Sequence, residues 1–464
     1  MQANFSPRLP LQTSTIHTPL PSSMDLSTDT TEVAATLTES ISEQHHEHVP
    51  TNKFRLLGFN VDTNIARLEE GIARDSHPEW SANNRASLVT KTVAGIIARK
   101  RPDVAHIQEC RQFQSSYGEM VDSVTPLVKT FEENGYGVVV QKYNNAPGDK
   151  AFQFITAYDK SKMFVQRSYL KFLTKTPDTP TKRPSIEGKS DAEKKEIINR
   201  IKDHNFGLEW ERGVSIVEFS HVAMSEPIIS INLHFDPSAN FRMQATHIII
   251  ELTREILASN PNAKIVMEGD FNTFPDSKGP EQMEILAKAC LGDKRLLIEA
   301  SEILKLPNGE PAYSTFYAFP YDFMSMNKNI KIDALIEDLA PEFREQARLA
   351  FTGADVTNPY YINDFLRKLD SPCRKQMIGK IFDQCRALGG VLDHVFQHGF
   401  DGPVKCKLLP SATYPSDQIT SFNNEAEVRK YILDSYDKGP AFASDHQPIL
   451  VTFKRDLSDK NWIG

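Results

Sequence analysis

Residues 267–272 place an acid and an amide at the end of a predicted strand. The apolar run 263–267 is typical of a buried strand, and Gly269-Asp270-Phe271-Asn272 ends it. Asp270 and Asn272 are two positions apart, so we expect both side chains to point the same way if the strand continues. Together they could bind a metal ion, a water molecule or a phosphate. Asp and Asn are also common in turns because they form local hydrogen bonds, so this segment alone leaves both interpretations open.

Similar polar clusters lie at the ends of most of the predicted strands. In chain order they are Asn60 and Asp62, Gln108 and Glu109, His234 and Asp236, Asp270 and Asn272, Asp393 and His394, and Ser444, Asp445 and His446. Any one of them has a simple explanation as a solvated or capping group. Ligand sites, however, form where several strand ends converge, so we expect these side chains to share one site.

These residue types suit the hydrolysis of a phosphoester. Glu109, with Asp62 or Asp445, would supply the hard oxygen ligands that Mg²⁺ prefers, and Mn²⁺ could take its place. Such an ion stabilises the charge that develops on the phosphate and on the leaving oxygen.

The attacking water must also lose a proton. His446 is suited to accept it because histidine titrates near neutral pH, and Asp393 could orient the imidazole from a neighbouring strand. Asn60, Asn272 and His234 would donate hydrogen bonds to the nonbridging phosphate oxygens.

The elements that position these groups alternate between strands and a few helices. Helices are predicted over 84–101 and 242–257, and strands over 53–60, 104–107, 137–141, 152–158, 214–219, 227–233, 263–267, 392–396 and 448–453. This pattern predicts an α/β sandwich in which sheets pack together with helices outside.

The composition narrows the function classes. The net charge of −8 over 464 residues disfavours indiscriminate coating of nucleic acid, which needs a basic surface. Five scattered cysteines without a CxxC pair favour a reducing compartment, and no apolar run is long enough to predict a membrane span. Together with the absence of a secretory signal pattern, these features predict a cytoplasmic location. The sequence does not predict an oligomeric state.

The chain divides into a tail and one catalytic domain over 51–464. Residues 1–50 are predicted to be disordered from their Ser, Thr and Pro content, and their histidine cluster at 44–48 is not expected to form a specific site. The tail could alternatively be an export signal read by other machinery. Insertions are predicted at about 171–212 and 330–388, the second with three or four short helices ending at a Gly389-Gly390 C-cap. It could be a lid or structural padding.

In their order along the chain, the motifs resemble the endonuclease/exonuclease/phosphatase superfamily, also called DNase I-like. The resemblance runs from about residue 53 to 455, skips both insertions, and depends most on Gly-Asp-x-Asn at 269–272 and Ser-Asp-His at 444–446. It implies a four-layered α/β sandwich, two packed mixed sheets flanked by helices, with the site at one edge of the sheets.

The resemblance also implies individual roles. Glu109 would be the main Mg²⁺ ligand, with Asp62 and Asp445 as possible ligands, and Asp270 would bind or activate the water. The remaining implied roles are phosphate contacts by Asn60, Asn272 and His234, and a pair between His446 and Asp393. Either His446 or Asp270 could then be the working base.

The substrate is less clearly indicated. His234-Phe235-Asp236-Pro237 is similar to the His-Trp-Asp-Pro of deadenylases, and Asn60-Val61-Asp62 to the Asn-Val-Asp of apurinic endonucleases. The Tyr and Arg that follow Gly-Asp-x-Asn in inositol 5-phosphatases are replaced here by Thr273 and Phe274. We therefore favour a nuclease acting on DNA or RNA, with a sphingomyelinase-like or other lipid or small-molecule phosphoesterase as the alternative. A catalytically inactive binding module is a third possibility.

Overall fold

The structure is a computed structural model, and the part of the chain that it describes belongs to the segment Lys53–Gly464. The described residues are 53–61, 82–114, 120–142, 152–173, 190, 193, 212–236, 239–273, 279–301, 316–317, 332–351, 366, 368–384, 389–409, 444 and 446–454. The predicted tail at 1–50, with its histidine cluster, lies outside them. So do Asp62 and Asp445, two of the predicted metal ligands.

The described residues form eighteen strands and seven helices. The strands are β1 (Lys53–Asn60), β2 (Val104–Cys110), β3 (Gln112–Gln114), β4 (Met120–Asp122), β5 (Tyr136–Lys142), β6 (Gln153–Asp159), β7 (Met163–Phe172), β8 (Gly213–His221), β9 (Met224–His234), β10 (Lys264–Asp270), β11 (Cys290–Leu291), β12 (Lys294–Arg295), β13 (Ile298–Glu299), β14 (Phe316–Tyr317), β15 (Gly389–Gly390), β16 (Asp393–His398), β17 (Asp401–Leu408) and β18 (Ile449–Lys454). The helices are α1 (Ala82–Lys100), α2 (Thr125–Glu133), α3 (Ala239–Ser259), α4 (Gly279–Lys288), α5 (Ile332–Glu337), α6 (Pro341–Phe351) and α7 (Ser371–Gln384).

Twelve of these strands form two six-stranded sheets. The first sheet has the order β17-β18-β1-β2-β6-β5, and the second has the order β13-β16-β10-β9-β8-β7. Both are mixed, because β1 and β2 run parallel, as do β9 and β10, whereas the other pairs are antiparallel.

Side-chain alternation along the strands builds the layers. On β10, Ile265 and Met267 pack in a core with α3 and α4, whereas Val266 packs in a core formed by strands of both sheets. On β1, Leu57 and Phe59 likewise pack with α1 and α2. The order is therefore helices, sheet, sheet, helices, and the predicted four-layered α/β sandwich is confirmed.

Some elements differ from the sequence prediction. The strand predicted over 104–107 continues to Cys110, and β7 reaches Phe172, so it overlaps the start of the insertion predicted at 171–212. β7 escaped prediction because it is an edge strand with many exposed positions, which weakens the hydrophobic pattern. Helix α2 was also missed, although it has a start signal: Asp122 Oδ1 accepts hydrogen bonds from the Val124 and Thr125 amides.

In the sequence, the helices described within 330–388 lie between the two strands of a short ladder. Helices α5, α6 and α7 contact one another, and β14, which precedes them, pairs with β15, which follows them. The prediction that Gly389 and Gly390 cap a helix was wrong. Helix α7 ends at Gln384, and the two glycines form β15 because they pair with Phe316 and Tyr317.

Two further properties concern the described residues alone. None of their helices has the length and apolar character needed to cross a membrane. Cys110, Cys290, Cys373 and Cys406 carry free thiols.

Candidate functional site

The candidate site lies where the layer between the two sheets becomes polar. Along β9 the positions that face the other sheet change from Ile228 to Ser230 and Asn232, and the strand ends at His234. Along β10 they change from Val266 to Glu268 and Asp270. The register places Asn60 beside Gln108 in the first sheet, and places Asp270 between His234 and Asp393 in the second. The predicted convergence of strand ends therefore occurs for most described members of the set, whereas His394 pairs with Glu299 and Thr273 instead.

The side-chain amide of Asn60 holds two buried carboxylates. Its Nδ2 atom donates to Glu109 Oε1 at 3.2 Å and to Asp270 Oδ2 at 3.1 Å, and it lies 3.4 Å from His446 Nε2. All four residues are buried. Because both carboxylates bond to the same nitrogen, their oxygens face one small region.

A β-bulge turns Glu109 toward this region. Ile107 and Cys110 both pack on the α1 side of the sheet, and the pairing of β2 with β6 shifts register between them. Regular alternation would have directed Glu109 to the same side as Ile107. Glu109 instead adopts a left-handed backbone with φ of 59°. This conformation costs about 1–2 kcal/mol in a residue other than glycine.

The Asp270 turn is equally constrained. Gly269 has φ of 152°, and a Cβ added there would lie 1.9 Å from the Leu233 carbonyl oxygen, so only glycine fits. The strand ends at Asp270, and Asn272 has φ of 53°. Asp270 and Asn272 therefore do not follow strand alternation. The Asn272 backbone amide donates to Asp270 Oδ1 at 2.7 Å, and its side-chain Nδ2 donates to the Phe235 carbonyl at 2.8 Å.

His446 and Asp393 form a close pair. The distance between Nδ1 of His446 and Oδ2 of Asp393 is 2.7 Å, and both side chains are buried. Ser444 holds the segment before His446, because its hydroxyl donates to the Asn60 carbonyl and accepts from the His446 amide. The Nε2 atom of His446 faces Oδ2 of Asp270 at 3.8 Å.

His234 faces the same carboxylates from the other side. Its Nε2 atom lies 3.4 Å from Glu109 Oε1 and 3.6 Å from Asp270 Oδ2, while Nδ1 lies 3.4 Å from Nη1 of Arg212. Burial holds the pKa of His234 well below its usual value, and the charges of Arg212 and His446 lower it further. The ring is therefore neutral at pH 7.

The crowding of acids also affects Asp270. Burial raises the pKa of its carboxyl from 3.8 to about 7, and the neighbouring Asp393 adds to the rise, although His446 opposes it. The carboxyl is thus only partly ionised near neutral pH. A cation between Asp270 and Glu109 would remove this penalty.

These residues fit a divalent metal ion. Atoms of Glu109, His234 and Asp270 that could act as ligands lie within 4.8 Å of one another. The two carboxylate oxygens are hard donors that suit Mg²⁺ or Mn²⁺. Sequence reasoning assigned Asp270 to binding or activating the water. The geometry also places its carboxylate beside that of Glu109, and these two carboxylates form the metal group.

Sequence reasoning missed two parts of the site. Arg212 was placed at the boundary of an insertion, and the only available signal was that a strand begins directly after it. Beneath the site, a buried polar layer joins the sheets, and its members Asn232 and Glu268 were missed: Gln108 Nε2 donates to Asn232 Oδ1 at 2.8 Å and to Glu268 Oε2 at 3.0 Å. The period-two pattern of polar residues on β2, β9 and β10 could have revealed this layer.

Comparisons with known proteins show likeness only among solved structures. No protein-family model matches the chain, and no curated protein matches it. An endonuclease/exonuclease/phosphatase from Bacteroides vulgatus is 15% identical with a TM-score of 0.44, covering 87% of this chain and 99% of that one. TDP2 from C. elegans is 14% identical with a TM-score of 0.41, covering 91% and 81%. D. rerio TDP2 complexed with single strand DNA product is 12% identical with a TM-score of 0.40, covering 86% and 98%.

The name of the Bacteroides protein is that of the superfamily which the sequence motifs resemble. At these identities and TM-scores the likeness concerns the fold alone, and neither family, substrate nor activity follows from it.

Proposed function

We propose that the protein is a divalent-metal-dependent hydrolase of phosphoesters that uses water as the nucleophile. The observation that carries this proposal is the position of Asp270. Its Oδ2 atom shares the Asn60 amide with Glu109 and faces the imidazole of His446, which is backed by Asp393. A pair of hard oxygen donors beside an acid–imidazole pair suits metal-assisted hydrolysis.

Glu109 and Asp270 would hold the metal ion, with Asn60 keeping their carboxylates aligned. Asp62 and Asp445 remain proposed ligands from the sequence. When bound, Mg²⁺ or Mn²⁺ would stabilise negative charge on the phosphate and on the leaving oxygen.

His446 would act as the general base. The Asp393 carboxylate accepts a hydrogen bond from Nδ1, so the Nδ1 proton is fixed and the Nε2 lone pair can accept a proton from water. As a metal ligand, Asp270 would be ionised and its carboxylate would be bound to the metal ion. This arrangement favours His446 over Asp270 as the base, a choice that the sequence left open.

Two further groups would bind the phosphate. His234 faces the metal group with Nε2, and the Asn272 amide has a second hydrogen beside the one that it donates to Phe235. Both can donate to nonbridging oxygens where negative charge develops.

For the substrate we propose a phosphodiester of DNA or RNA, supported by the short motifs at 60–62 and 234–237. A lipid or small-molecule phosphoester is the second candidate, favoured by the net charge of −8. An inactive binding module would be expected to have lost one of the site groups. Glu109, Asp270, Asn272 and His446 are all present.

The test is hydrolysis by the purified full-length chain. Labelled single- and double-stranded DNA, RNA, poly(A) and sphingomyelin are incubated with Mg²⁺, and with EDTA in parallel. Glu109→Ala should abolish cleavage, whereas Glu133→Ala, at an exposed acid on α2, should not. Cleavage of the lipid alone would overturn the nucleic-acid assignment, and no Mg²⁺-dependent cleavage of any substrate would overturn the enzyme proposal.

A further inference from the structure

Arg212 lies directly behind His234, on the side away from the metal group. Its Nη1 atom is 3.4 Å from His234 Nδ1, and its Nε atom is 3.8 Å from Oδ2 of Asp236, two residues beyond the histidine. The Arg212 side chain is 19% exposed and that of Asp236 is 14% exposed, so the contact is mostly shielded from water. Asp236 therefore helps to hold the guanidinium against the imidazole.

This contact determines where the His234 ring carries its proton. A guanidinium can only donate hydrogen bonds and stays protonated in proteins. The Nδ1 atom must therefore accept, and the neutral ring carries its hydrogen on Nε2. The Nε2–H group then points toward Glu109 Oε1 and Asp270 Oδ2.

His446 has the opposite arrangement. Its Nδ1 atom faces the Asp393 carboxylate, which can only accept when ionised, so the Nδ1 atom carries the hydrogen. Two histidines thus face Asp270 with opposite tautomers, because one is backed by a cation and the other by an anion. One Nε2 atom can accept a proton and the other can only donate.

We propose that Arg212 fixes the Nε2–H tautomer of His234 and thereby keeps this histidine from binding the metal ion. An imidazole nitrogen that carries hydrogen has no lone pair for a metal, although His234 lies within ligand distance of Glu109 and Asp270. The proposal rests on the proposed metal site and assigns Arg212 as a positioning residue that sets metal preference.

A consequence is that the proposed site would select metal ions that prefer oxygen ligands. With His234 excluded, the group offers carboxylate oxygens, which suit Mg²⁺ and Mn²⁺. Without the Arg212 donor, the ring can carry its hydrogen on Nδ1 and offer the Nε2 lone pair. A group of two carboxylates and one imidazole suits Zn²⁺.

The first test reads the tautomer directly and needs no metal. Protein with ¹⁵N-labelled histidine rings is studied by NMR, with His234→Gln to assign the signals. We expect a protonated Nε2 and an unprotonated Nδ1 for His234 in the wild type. Arg212→Met should change this pattern, and Arg212→Lys should retain it because lysine still donates. A protonated Nδ1 in the wild type, or an unchanged pattern in Arg212→Met, would overturn the proposal.

The second test measures binding of Zn²⁺ alone and of Mg²⁺ alone by calorimetry. Arg212→Met should bind Zn²⁺ about tenfold more tightly than the wild type, without a matching gain for Mg²⁺. Adding His234→Gln should cancel that gain. Arg167→Met provides the matched control, because Arg167 is an exposed arginine on β7 that pairs with Glu218.

Other outcomes of the second test also decide the proposal. A Zn²⁺ gain that persists without His234, or equal gains for both ions, would contradict it. If Arg212→Met does not fold, Asp236→Asn loosens the guanidinium without removing it and should shift the tautomer and the Zn²⁺ affinity in the same direction. Failure of hydrolysis on every substrate would end the proposed function but would leave the tautomer result intact.

Discussion

His446 and Asp393 join the two sheets of the sandwich at the candidate site. Asp393 begins β16 in the second sheet, and His446 lies just before β18 in the first, yet the distance between their side chains is 2.7 Å. The pair is formed only when the sheets pack in their native register. The proposed base, His446, is therefore oriented by the same packing that closes the core.

Substituting this pair tests the role of the base. Because a positioned base contributes about 10²–10⁴-fold, His446→Ala should lower kcat by that amount with a smaller effect on KM. Asp393→Asn should also lower kcat, since the amide can donate to Nδ1 and favours the wrong tautomer. Steady-state kinetics measure both effects, with His247→Ala on the exposed face of α3 as the control. A wild-type kcat for His446→Ala would remove this histidine from the mechanism.

Glu109 should show a conflict between stability and function. It holds a left-handed backbone and faces a second buried carboxylate, that of Asp270. Glu109→Gln removes the like charge, so the free energy of unfolding without metal should rise by about 1 kcal/mol. The same change should abolish Mg²⁺-dependent activity. Chemical denaturation in EDTA measures the first effect, and a decrease in stability would show that the carboxylate repulsion has been overstated.

Proton competition at Asp270 should make metal binding depend on pH. Its carboxyl has a pKa of about 7, because burial favours the neutral form. Below this value a proton must leave before the metal binds, so the apparent Mn²⁺ affinity should fall about tenfold per pH unit. Titrations followed by electron paramagnetic resonance from pH 5.5 to 8.5 test this, with Asp270→Asn as the comparison. An affinity that does not change with pH would rule out Asp270 as a ligand.

The Asp270 carboxyl should lower the stability of the metal-free protein as the pH rises, whereas the same rise in pH should strengthen metal binding. The native state keeps a proton that the unfolded chain loses above about pH 4. Its contribution to the free energy of unfolding should therefore fall as pH rises from about 4 to about 7, by at most about 1.4 kcal/mol per pH unit. Comparing the denaturation of Asp270→Asn and wild type across this pH range isolates the contribution of Asp270 to the free energy of unfolding. Identical pH dependence in the two proteins would contradict the raised pKa.

Gly58 and Glu268 should be coupled between the sheets. A Cβ added to Gly58 would lie 1.9 Å from Oε1 of Glu268, which is fully buried. Gly58→Ala should therefore cost about 1–3 kcal/mol through overpacking. Glu268→Ala should relieve much of this cost, which a double-mutant cycle measures as non-additivity. Strictly additive effects would mean that the two residues do not share this space.

The sequence predicts most of the candidate site because apolar runs indicate the strands and polar residues indicate where the strands end. The Asp393–His446 pair is separated by 53 positions in the sequence, yet Asp393 lies at the start of one apolar strand and His446 just before another, so both could be assigned to the same edge. The alternation of apolar runs and helices predicted an α/β sandwich, and the resemblance to the superfamily implied its four layers.

What the sequence could not predict depends on single backbone angles and on long-range neighbours. Nothing in the residue types around Glu109 signals the bulge that turns its side chain, because the bulge depends on how β2 pairs with β6. The role of Arg212 is visible only in the fold, because the pairing of β8 with β9 brings Arg212 next to His234. Asn272 looked like a partner of Asp270 on one strand face, but the strand ends between them.

We propose above all that Glu109 and Asp270 hold a metal ion required for phosphoester hydrolysis. The most direct measurement is hydrolysis of a labelled DNA oligonucleotide and of bis(p-nitrophenyl) phosphate by EDTA-treated protein, before and after Mg²⁺ is added back. We predict no hydrolysis without metal, recovery with Mg²⁺ in the wild type, and no recovery in Glu109→Gln. Equal rates with and without metal, or full recovery in Glu109→Gln, would contradict the claim.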